Sequence, residues 1–465
     1  MLRVGFKNVC LRAALTGGLC LAGAGIAAAE VVTVSFQNGA KGYDGAFDRR
    51  IGERDGDQTD GITVASYFLD GFLPDRTSPD TQGLVRFDNI FGDDPNQIPA
   101  GATILNAELV VTTALSGNAQ TAGPYGVAGL LKPFDSTTSY FADFNSTTDM
   151  VSRGPWWQDG SATRPVGGYG AQAQGATDAA NVTSVVQSWA DGSPNCGFAI
   201  QAGAGNTVNE QANTADGWAI CTTGSPVANT RPMLKVSYTT VRVAKSVFQN
   251  GAGGYAGTTM AIVRSGKNAL LEDTADLLNP ERTEDASTLD QTFLDGVQFS
   301  DIAGNTSSPD DLALVKFANV FGTDPNQAPT DVPVAKAWVV ITTGDLSKDS
   351  RSPGPYSAHA MLRPWDTGSL HSSFGAVNGL QADDGDITPA LAVAKGIIRG
   401  SEVWFDVTGY LEGVRTGAAD YGIAIQAAGT ADGWQLHTNG SATPDARPRL
   451  VVYSANLAVD PAPAN

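Results

Sequence analysis

Basic residues are scarce in this sequence. Lys and Arg number 29 against 48 Asp and Glu, which gives a formal net charge of −19 at pH 7. A chain with this balance repels the phosphates of nucleic acids and the headgroups of anionic membranes at long range. We therefore expect neither a nucleic acid nor a membrane surface as a partner.

Long hydrophobic runs are missing after the N-terminus. The apolar stretch 13–26 is shorter than the roughly 20 residues of a membrane-spanning helix. Three basic residues precede it, and a run of alanines ends it before Glu30, which is the pattern of a cleaved signal peptide over residues 1–29. Its removal lowers the formal charge from −19 to −22. We expect a secreted, extracellular or periplasmic protein without a transmembrane anchor, ending in a short disordered tail at 456–465.

Cysteine is rare as well. Of the four cysteines, two lie in the predicted signal peptide, so the mature chain keeps only Cys196 and Cys221. An even number of cysteines in an oxidising compartment predicts a disulfide between them. This pairing requires neighbouring strands that bring the two sulfurs within bonding distance. Two buried free thiols are the alternative.

The three histidines, His359, His371 and His437, all lie in the C-terminal half. They lack the spacing of zinc ligands, and the sequence has no zinc-protease, serine-hydrolase or phosphate-binding motif. We expect packing or surface roles for them, no catalytic residues and no enzyme activity. A hydrolase that uses two carboxylates, or a Tyr-dependent polysaccharide lyase, remains an alternative because neither needs histidine.

The sequence contains two copies of one domain-sized segment, at residues 30–240 and 241–455. Phe-Gln-Asn-Gly occurs at 36–39 and again at 248–251, and Asp-Pro-Asn-Gln occurs at 94–97 and at 324–327. Asp-Gly-Trp and Arg-Pro pairs follow in the same order near the end of each copy. A fixed order of matched segments over more than 200 residues indicates duplication of a whole domain.

Strand patterns dominate both copies. Leu234, Val236 and Tyr238 alternate with polar residues, as in a half-buried strand, and continuous apolar segments at 107–113 and 337–343 are typical of central strands. Helical spacing is found only at 182–189 and 407–414. The sequence therefore predicts an all-β protein of two tandem antiparallel β-sandwich domains with a jelly-roll-like arrangement.

Several segments resemble the DNRLRE family, also called disaggregatase-related repeats. The resemblance rests on Leu-Val-Arg-Phe at 84–87, the small-residue turn and strand at 99–109, the helix-like segment 182–192, Asp-Gly-Trp and the closing Arg-Pro. It covers most of both copies and is clearest in the first. The resemblance implies non-catalytic, carbohydrate-binding-module-like modules on secreted or surface proteins, and it assigns no ligand.

Exposed aromatic rings beside polar groups are what a polysaccharide site requires. Trp156 and Trp157, with Arg153 beside them, form the best candidate because this segment is loop-like and has no counterpart in the second copy. Tyr125 and Tyr356, on matching turns, are the next candidates. Trp218 and Trp434 recur within strands, so we expect them in the core.

Acidic residues two positions apart suggest structural Ca²⁺ as the one possible cofactor. Asp55 and Asp57, and Asp384 and Asp386, place carboxylates at this spacing, which hard cations favour. Neither segment completes an EF-hand loop. A solvated acidic loop is the alternative.

The leading hypothesis is a secreted, non-catalytic adhesion protein whose two modules recognise an extracellular polysaccharide or a cell-surface glycan. The alternative is a structural component of an extracellular matrix or surface layer that self-associates through its sheet edges.

Overall fold

The computed structural model describes residues 29–52, 58–70, 81–116, 123–139, 143–144, 157, 160–170, 172–202, 217–241, 243–264, 282–294, 311–344, 354–374, 380, 382, 385–427, 433–455 and 457–458. Within these ranges the protein is all-β, with only two α-helices, which confirms the all-β part of the predicted fold class. Neither helix is long or apolar enough to cross a lipid bilayer.

Short strands separated by turns make up the first half. They are β1 (Ala29–Glu30), β2 (Val32–Phe36), β3 (Ala46–Gly52), β4 (Thr59–Asp60), β5 (Ser66–Leu69), β6 (Thr81–Phe87), β7 (Thr103–Thr112), β8 (Tyr125–Leu130), β9 (Ala162–Tyr169), β10 (Thr177–Asn181), β11 (Phe198–Ala202), β12 (Trp218–Cys221) and β13 (Met233–Thr239). The helix α1 (Thr183–Ala190) follows β10.

The second half repeats this series. Its strands are β14 (Ala244–Gln249), β15 (Thr258–Arg264), β16 (Arg282–Asp285), β17 (Gln291–Leu294), β18 (Asp311–Phe317), β19 (Val334–Thr342), β20 (Tyr356–Ala360), β21 (Ala392–Ala394), β22 (Glu402–Asp406), β23 (Ile423–Ala427), β24 (Trp434–His437), β25 (Arg449–Ser454) and β26 (Leu457–Ala458). The helix α2 (Thr408–Arg415) follows β22.

Both halves have the same sheet topology. In the first half, a four-stranded sheet has the order β10-β7-β13-β2, a six-stranded sheet has the order β4-β3-β6-β11-β8-β9, and β5 pairs with β12. The second half repeats these orders as β22-β19-β25-β14, β16-β15-β18-β23-β20-β21 and β17-β24. Strands from the two halves pair only at β1 and β26 among the described residues, and that pair is parallel.

One hydrophobic core in each half takes side chains from both large sheets. In the first half, Leu109 of the four-stranded sheet and Ile200 of the six-stranded sheet belong to the same buried cluster. Val339 and Ile425 do the same in the second half. Burial of such side chains contributes about 1.5–3 kcal/mol each, so the contact between the two sheets stabilises each half.

The predicted core tryptophans are confirmed. Trp218 is fully buried between Tyr125 and Tyr169, with ring centroids 5.1 Å from each. Its Nε1 donates a hydrogen bond to Thr113 Oγ1 at 3.0 Å, which satisfies the one polar atom of the indole. Trp434 makes the matching contacts in the second half.

The strand and helix predictions also hold. In β13, Leu234, Val236 and Tyr238 are buried while Lys235 is exposed. The helices α1 and α2 lie one residue later than the predicted segments. In each case a polar residue just before the helix, Asn181 or Asp406, accepts a hydrogen bond from the first helical N–H at 2.9 Å. This acceptor replaces the partner that a helix cannot offer its own first turn.

The two halves touch along the edge strands of their sheets. The strands β9 and β10 of the first half and the segments 392–397 and 401–406 of the second enclose a cavity of about 230 Å³. Lys395 Nζ lies 2.6 Å from Asp178 Oδ1 across this junction. We use the term junction below for this contact between the halves.

Candidate functional site

A groove of about 690 Å³ runs along the edge strand β14 of the second half. Backbone and side chains of β14, of the turn after it and of the Asp-Pro-Asn-Gln turn form its walls. The lining residues are Lys245, Ser246, Val247, Phe248, Ala252, Gly253, Gly254, Tyr255, Ala256, Gly257, Asn319, Asp324, Pro325, Asn326 and Gln327. These residues supply backbone amides, side-chain amides and two aromatic residues, the buried Phe248 and the half-buried Tyr255, to the same surface.

Tyr255 is the half-buried aromatic residue of this groove. Its ring packs edge-on against Phe248 at a centroid distance of 5.4 Å, and its hydroxyl donates to the carbonyl of Ala318 at 3.0 Å. Burial raises the pKa of Tyr255 to about 12, so the phenol is neutral at pH 7. The ring is half-buried, which leaves part of its surface as an apolar wall of the groove.

The Asp-Pro-Asn-Gln turn forms the opposite rim. Gln327 stabilises this turn, and its backbone N–H donates to the carbonyl of Asp324 at 2.9 Å. Its side-chain Oε1 accepts from the N–H of Asp324 at 3.1 Å, and its Nε2 donates to the carbonyl of Asn319 at 3.0 Å. Pro325 and Asn326 are thereby left exposed at the tip of the turn. The Asn326 amide nitrogen donates to the carbonyl of Gly253 at 3.5 Å, so the rim presents the remaining hydrogen-bonding capacity of this amide on a constrained backbone.

The first half has the same arrangement. Tyr43 packs edge-on against Phe36 at 5.3 Å and donates its hydroxyl to the carbonyl of Asp88 at 2.9 Å. Gln97 bridges the 94–97 turn with the bonds that Gln327 makes, and Asn96 is exposed at its tip. The two halves therefore carry the same polar turn beside the same tyrosine.

The groove is suited to binding a polar, uncharged ligand. Lys245 and Asp324 are its charged side chains, and they have opposite signs. Amide groups of Asn and Gln both donate and accept hydrogen bonds, as the hydroxyl groups of sugars require. Within the described ranges, no three His, Cys, Asp or Glu side chains come together as a group that could hold a metal ion.

The prediction that Tyr125 and Tyr356 form a binding surface is wrong. Both side chains are fully buried, and their hydroxyls donate to the carbonyls of Leu69 at 3.1 Å and Leu294 at 3.4 Å. They pack against Trp218 and Trp434 at the centre of each half. The recurrence of these tyrosines reflects the shared core rather than a shared ligand.

Trp157 lies at the junction rather than on an open surface. The Arg164 guanidinium covers its ring at 3.9 Å, and a Cβ added to Gly400 would lie 2.7 Å from its Nε1. The ring is half-buried by these contacts, and a sugar platform at this residue stays a prediction. Trp156 and Arg153 lie outside the described residues.

Three of the four predicted calcium ligands, Asp55, Asp57 and Asp384, lie outside the described residues. The fourth, Asp386, is buried and pairs with Arg363, whose Nη1 lies 2.5 Å from its Oδ1. The prediction of a calcium ligand at this position is corrected, because a guanidinium already neutralises the carboxylate.

The predicted disulfide is also wrong, since Cys196 and Cys221 are both free thiols. Cys196 precedes β11 and packs with Leu130 and Phe134 behind the six-stranded sheet. Cys221 ends β12, which pairs with β5 in a separate two-stranded sheet. The two strands are not neighbours, so the condition on which the pairing depended is not met. Burial raises the pKa of both thiols.

Two histidines have the predicted packing role. His359 is buried between Ser357 and the carbonyl of Thr388, and desolvation lowers its pKa below the usual 6.5. His437 is buried with Nδ1 3.0 Å from Ser441 Oγ. His371 begins a short 3₁₀ turn at the surface.

Sequence reasoning missed the groove, although it found the motifs that form it. Phe-Gln-Asn-Gly and Asp-Pro-Asn-Gln served only as evidence for duplication. Their separation by about 55–75 positions conceals that the fold brings them to one surface. An exposed turn that is identical in both copies is the signal that points to this surface.

No model of a known protein family matches this chain, and no curated protein sequence is detectably similar to it.

Proposed function

We propose that this chain is a secreted, non-catalytic binding protein whose two halves are β-sandwich modules related to the DNRLRE family. In this proposal the four-stranded and six-stranded sheets of each half are the two layers of a sandwich. The ligand is an extracellular polysaccharide or a cell-surface glycan. The groove along β14 and its counterpart along β2 are the binding surfaces.

The observation that carries this proposal is the duplicated pair of a half-buried tyrosine and a polar turn, which in the second half lines the groove. Asn96 and Asn326 are exposed at the tips of matching turns, beside the half-buried Tyr43 and Tyr255. Two equal sites on one chain suit a ligand with a repeated chemical unit, because occupation of the first site raises the effective concentration at the second. A polysaccharide is a ligand of this kind.

The charge of the groove favours a neutral polysaccharide at these sites. One Lys and one Asp line it, while the chain as a whole carries a formal charge of −19. Long-range repulsion therefore acts against a polyanion, and the groove itself offers no excess positive charge to overcome it.

The test is a glycan array probed with the mature chain, followed by affinity electrophoresis in gels that contain the retained polysaccharide. Replacing Asn96 and Asn326 together by alanine removes both exposed amides. We expect retention to fall about tenfold or more, because each site loses a hydrogen-bonding group and the two sites act together.

A matched control is Thr367→Ala, which removes a polar group from an exposed turn outside the groove. It leaves retention unchanged if the groove is the binding surface. Equal retention of the wild type and the Asn96→Ala/Asn326→Ala variant would show that the glycan binds elsewhere. An array without any bound glycan would reject the proposal itself.

The alternative of self-association is favoured by the open edge of β14. Among the described residues this strand pairs with β25 alone, and Ala244, Lys245 and Val247 are exposed on it. An unpaired strand edge can add a strand from another molecule. Concentration-dependent growth in sedimentation velocity, abolished by Val247→Pro, is the result that supports assembly over glycan binding.

A further inference from the structure

Arg399 is a buried arginine at the junction. Only 8% of its surface is exposed, and its Nε and Nη1 atoms have no hydrogen-bond partner among the described residues. A guanidinium in such surroundings is unfavourable, because it has lost water without gaining an acceptor or a counter-charge. This residue therefore points to a partner that the described part of the chain does not supply.

The turn that carries Arg399 is fixed on both sides. Ser401 N donates to the carbonyl of Ile398 at 3.0 Å, and Gly400 has a φ of +71°, which favours glycine. On the side of the first half, Arg164 Nη1 donates to the carbonyl of Gly400 at 3.2 Å. Arg399 is consequently held in place by its own backbone and by the other half of the chain.

The first half contains the same turn with a different residue. Gly175, with a φ of +72°, corresponds to Gly400, and Ala176 N donates to the carbonyl of Ala173 at 3.1 Å. Gln174 stands where the second half has Arg399, and it is exposed and bonded to the carbonyl of Ser116. The arginine is therefore not needed to form the turn.

Gln174 and Arg399 occupy the same position of matching turns but differ in charge and burial, so the charge of Arg399 is not explained by the fold. The exposed turn, where a charge would be solvated at no cost, has a neutral side chain. The buried turn, where a charge is unfavourable, has a positive one. A second guanidinium, that of Arg164, lies beside the next residue of the turn.

We propose that Arg399 binds the anionic group of a ligand at the junction between the halves. A planar guanidinium pairs with two oxygens of the same anion, which selects carboxylates and sulfate groups. The ligand class is therefore a molecule that bears a carboxylate or a sulfate, such as a uronic acid or a sulfated sugar. This site is separate from the groove along β14 and does not depend on it.

The experiment measures thermal stability and calorimetric binding with three probes: sodium sulfate, sodium glucuronate and glucose. Sodium chloride at equal ionic strength is the baseline. We expect sulfate or glucuronate, but not glucose, to raise the melting temperature of the wild type, because a ligand that binds only the folded state stabilises it. The anion that gives the larger shift distinguishes a sulfate site from a carboxylate site.

The decisive variant is Arg399→Gln, since Gln174 shows that the turn accepts glutamine. We expect the anion to bind about tenfold more weakly or worse, given the usual strength of a hydrogen bond to a charged group. Lys132→Gln removes one charge from an exposed position and leaves anion binding unchanged.

Two results would overturn the proposal. The first is an equal response of the wild type and Arg399→Gln to every anion, including no response in either. The second is a lower melting temperature of Arg399→Gln without anion, because it would show that the guanidinium is paired inside the chain. Binding of neutral glycans at the groove is measured separately, so either proposal can fail without the other.

Discussion

Gly168 and Gly396 meet backbone to backbone at the junction. A Cβ added to Gly168 would overlap the carbonyl oxygen of Gly396, and a Cβ added to Gly396 would overlap the backbone of residues 168 and 169. Gly396 also has a φ of +67°, which few other residues adopt. The contact between the halves therefore requires glycine at both positions. At the position of the second half that corresponds to Gly168 by strand register, Val393 is exposed.

Replacing Gly168 by valine therefore tests whether the junction is specific. We expect the free energy of unfolding to fall by about 1–3 kcal/mol, the usual cost of inserting a side chain into a packed contact. Thermal unfolding and small-angle X-ray scattering measure the loss of stability and the separation of the halves. Gly409→Ala, where a Cβ meets nothing within 4 Å, is the control: it leaves the separation of the halves unchanged and does not lower the stability, which can rise by up to about 1 kcal/mol because Gly409 lies in the helix α2.

Buried Asp48 gives the first half a pH dependence. Burial raises its pKa above the usual 3.8, although Thr223 donates both its N–H, at 3.0 Å, and its hydroxyl to the carboxylate. The folded chain thus holds this proton more tightly than the unfolded chain. The resulting stability is complete below pH 3.8 and is lost as the pH rises through the folded-state pKa.

Asp48→Asn removes this titration, so we expect its stability relative to the wild type to increase between pH 4 and pH 7. Urea unfolding at several pH values measures the difference. Asp135→Asn loses stability relative to the wild type as the pH rises towards 3.8 and shows no further change above it, because hydrogen bonds from Thr137 lower the pKa of the Asp135 carboxyl below the usual 3.8. If the difference in stability between Asp48→Asn and the wild type does not vary with pH, the raised pKa of the buried Asp48 carboxyl is contradicted.

The free thiols predict a distinct chemical result. Because burial raises the pKa of Cys196 and Cys221, little thiolate forms at pH 7 and both react slowly in the folded state. In denaturant without reductant, mass spectrometry of the mature chain shows two alkylated cysteines. If alkylation requires prior reduction, the thiols are joined and their separation into different sheets is incorrect.

The buried tyrosines predict a loss of stability without a loss of binding. Tyr125→Phe and Tyr356→Phe each remove a hydroxyl that donates to a buried carbonyl. We expect each to lower the free energy of unfolding by about 0.5–1.5 kcal/mol. Retention of glycan is unchanged in both variants. If either variant loses glycan retention while its stability is unchanged, the tyrosine belongs to a ligand site and not to the core alone.

The sequence predicted the parts of the fold that follow from local patterns. The alternation of Leu234, Val236 and Tyr238 and the helical segment before Trp189 depend only on neighbouring residues, and both match the structure. The duplication revealed Trp218 and Trp434 as core residues because their positions recur in strands. Period and recurrence are visible without knowledge of the three-dimensional arrangement.

The predictions that failed concern features that depend on which strands become neighbours. Cys196 precedes β11 and Cys221 ends β12, and these consecutive strands belong to different sheets, which no local pattern reveals. The sequence does not show that Arg164 stacks on the ring of Trp157 or that Gly400 of the second half lies at its edge. The groove likewise joins segments that are distant in sequence. Arg399 was overlooked because an arginine on a Gly-containing turn normally lies at the surface.

The number of binding sites per chain tests the central claim most directly. Isothermal titration calorimetry with an oligosaccharide of the retained glycan, too short to span both grooves, gives the stoichiometry. The tyrosine and the polar turn that recur in both halves predict two equivalent sites in the wild type, one in Asn326→Ala and none in the Asn96→Ala/Asn326→Ala variant. A single site in the wild type, or two sites that survive both substitutions, would contradict the claim that each half binds glycan through the same groove.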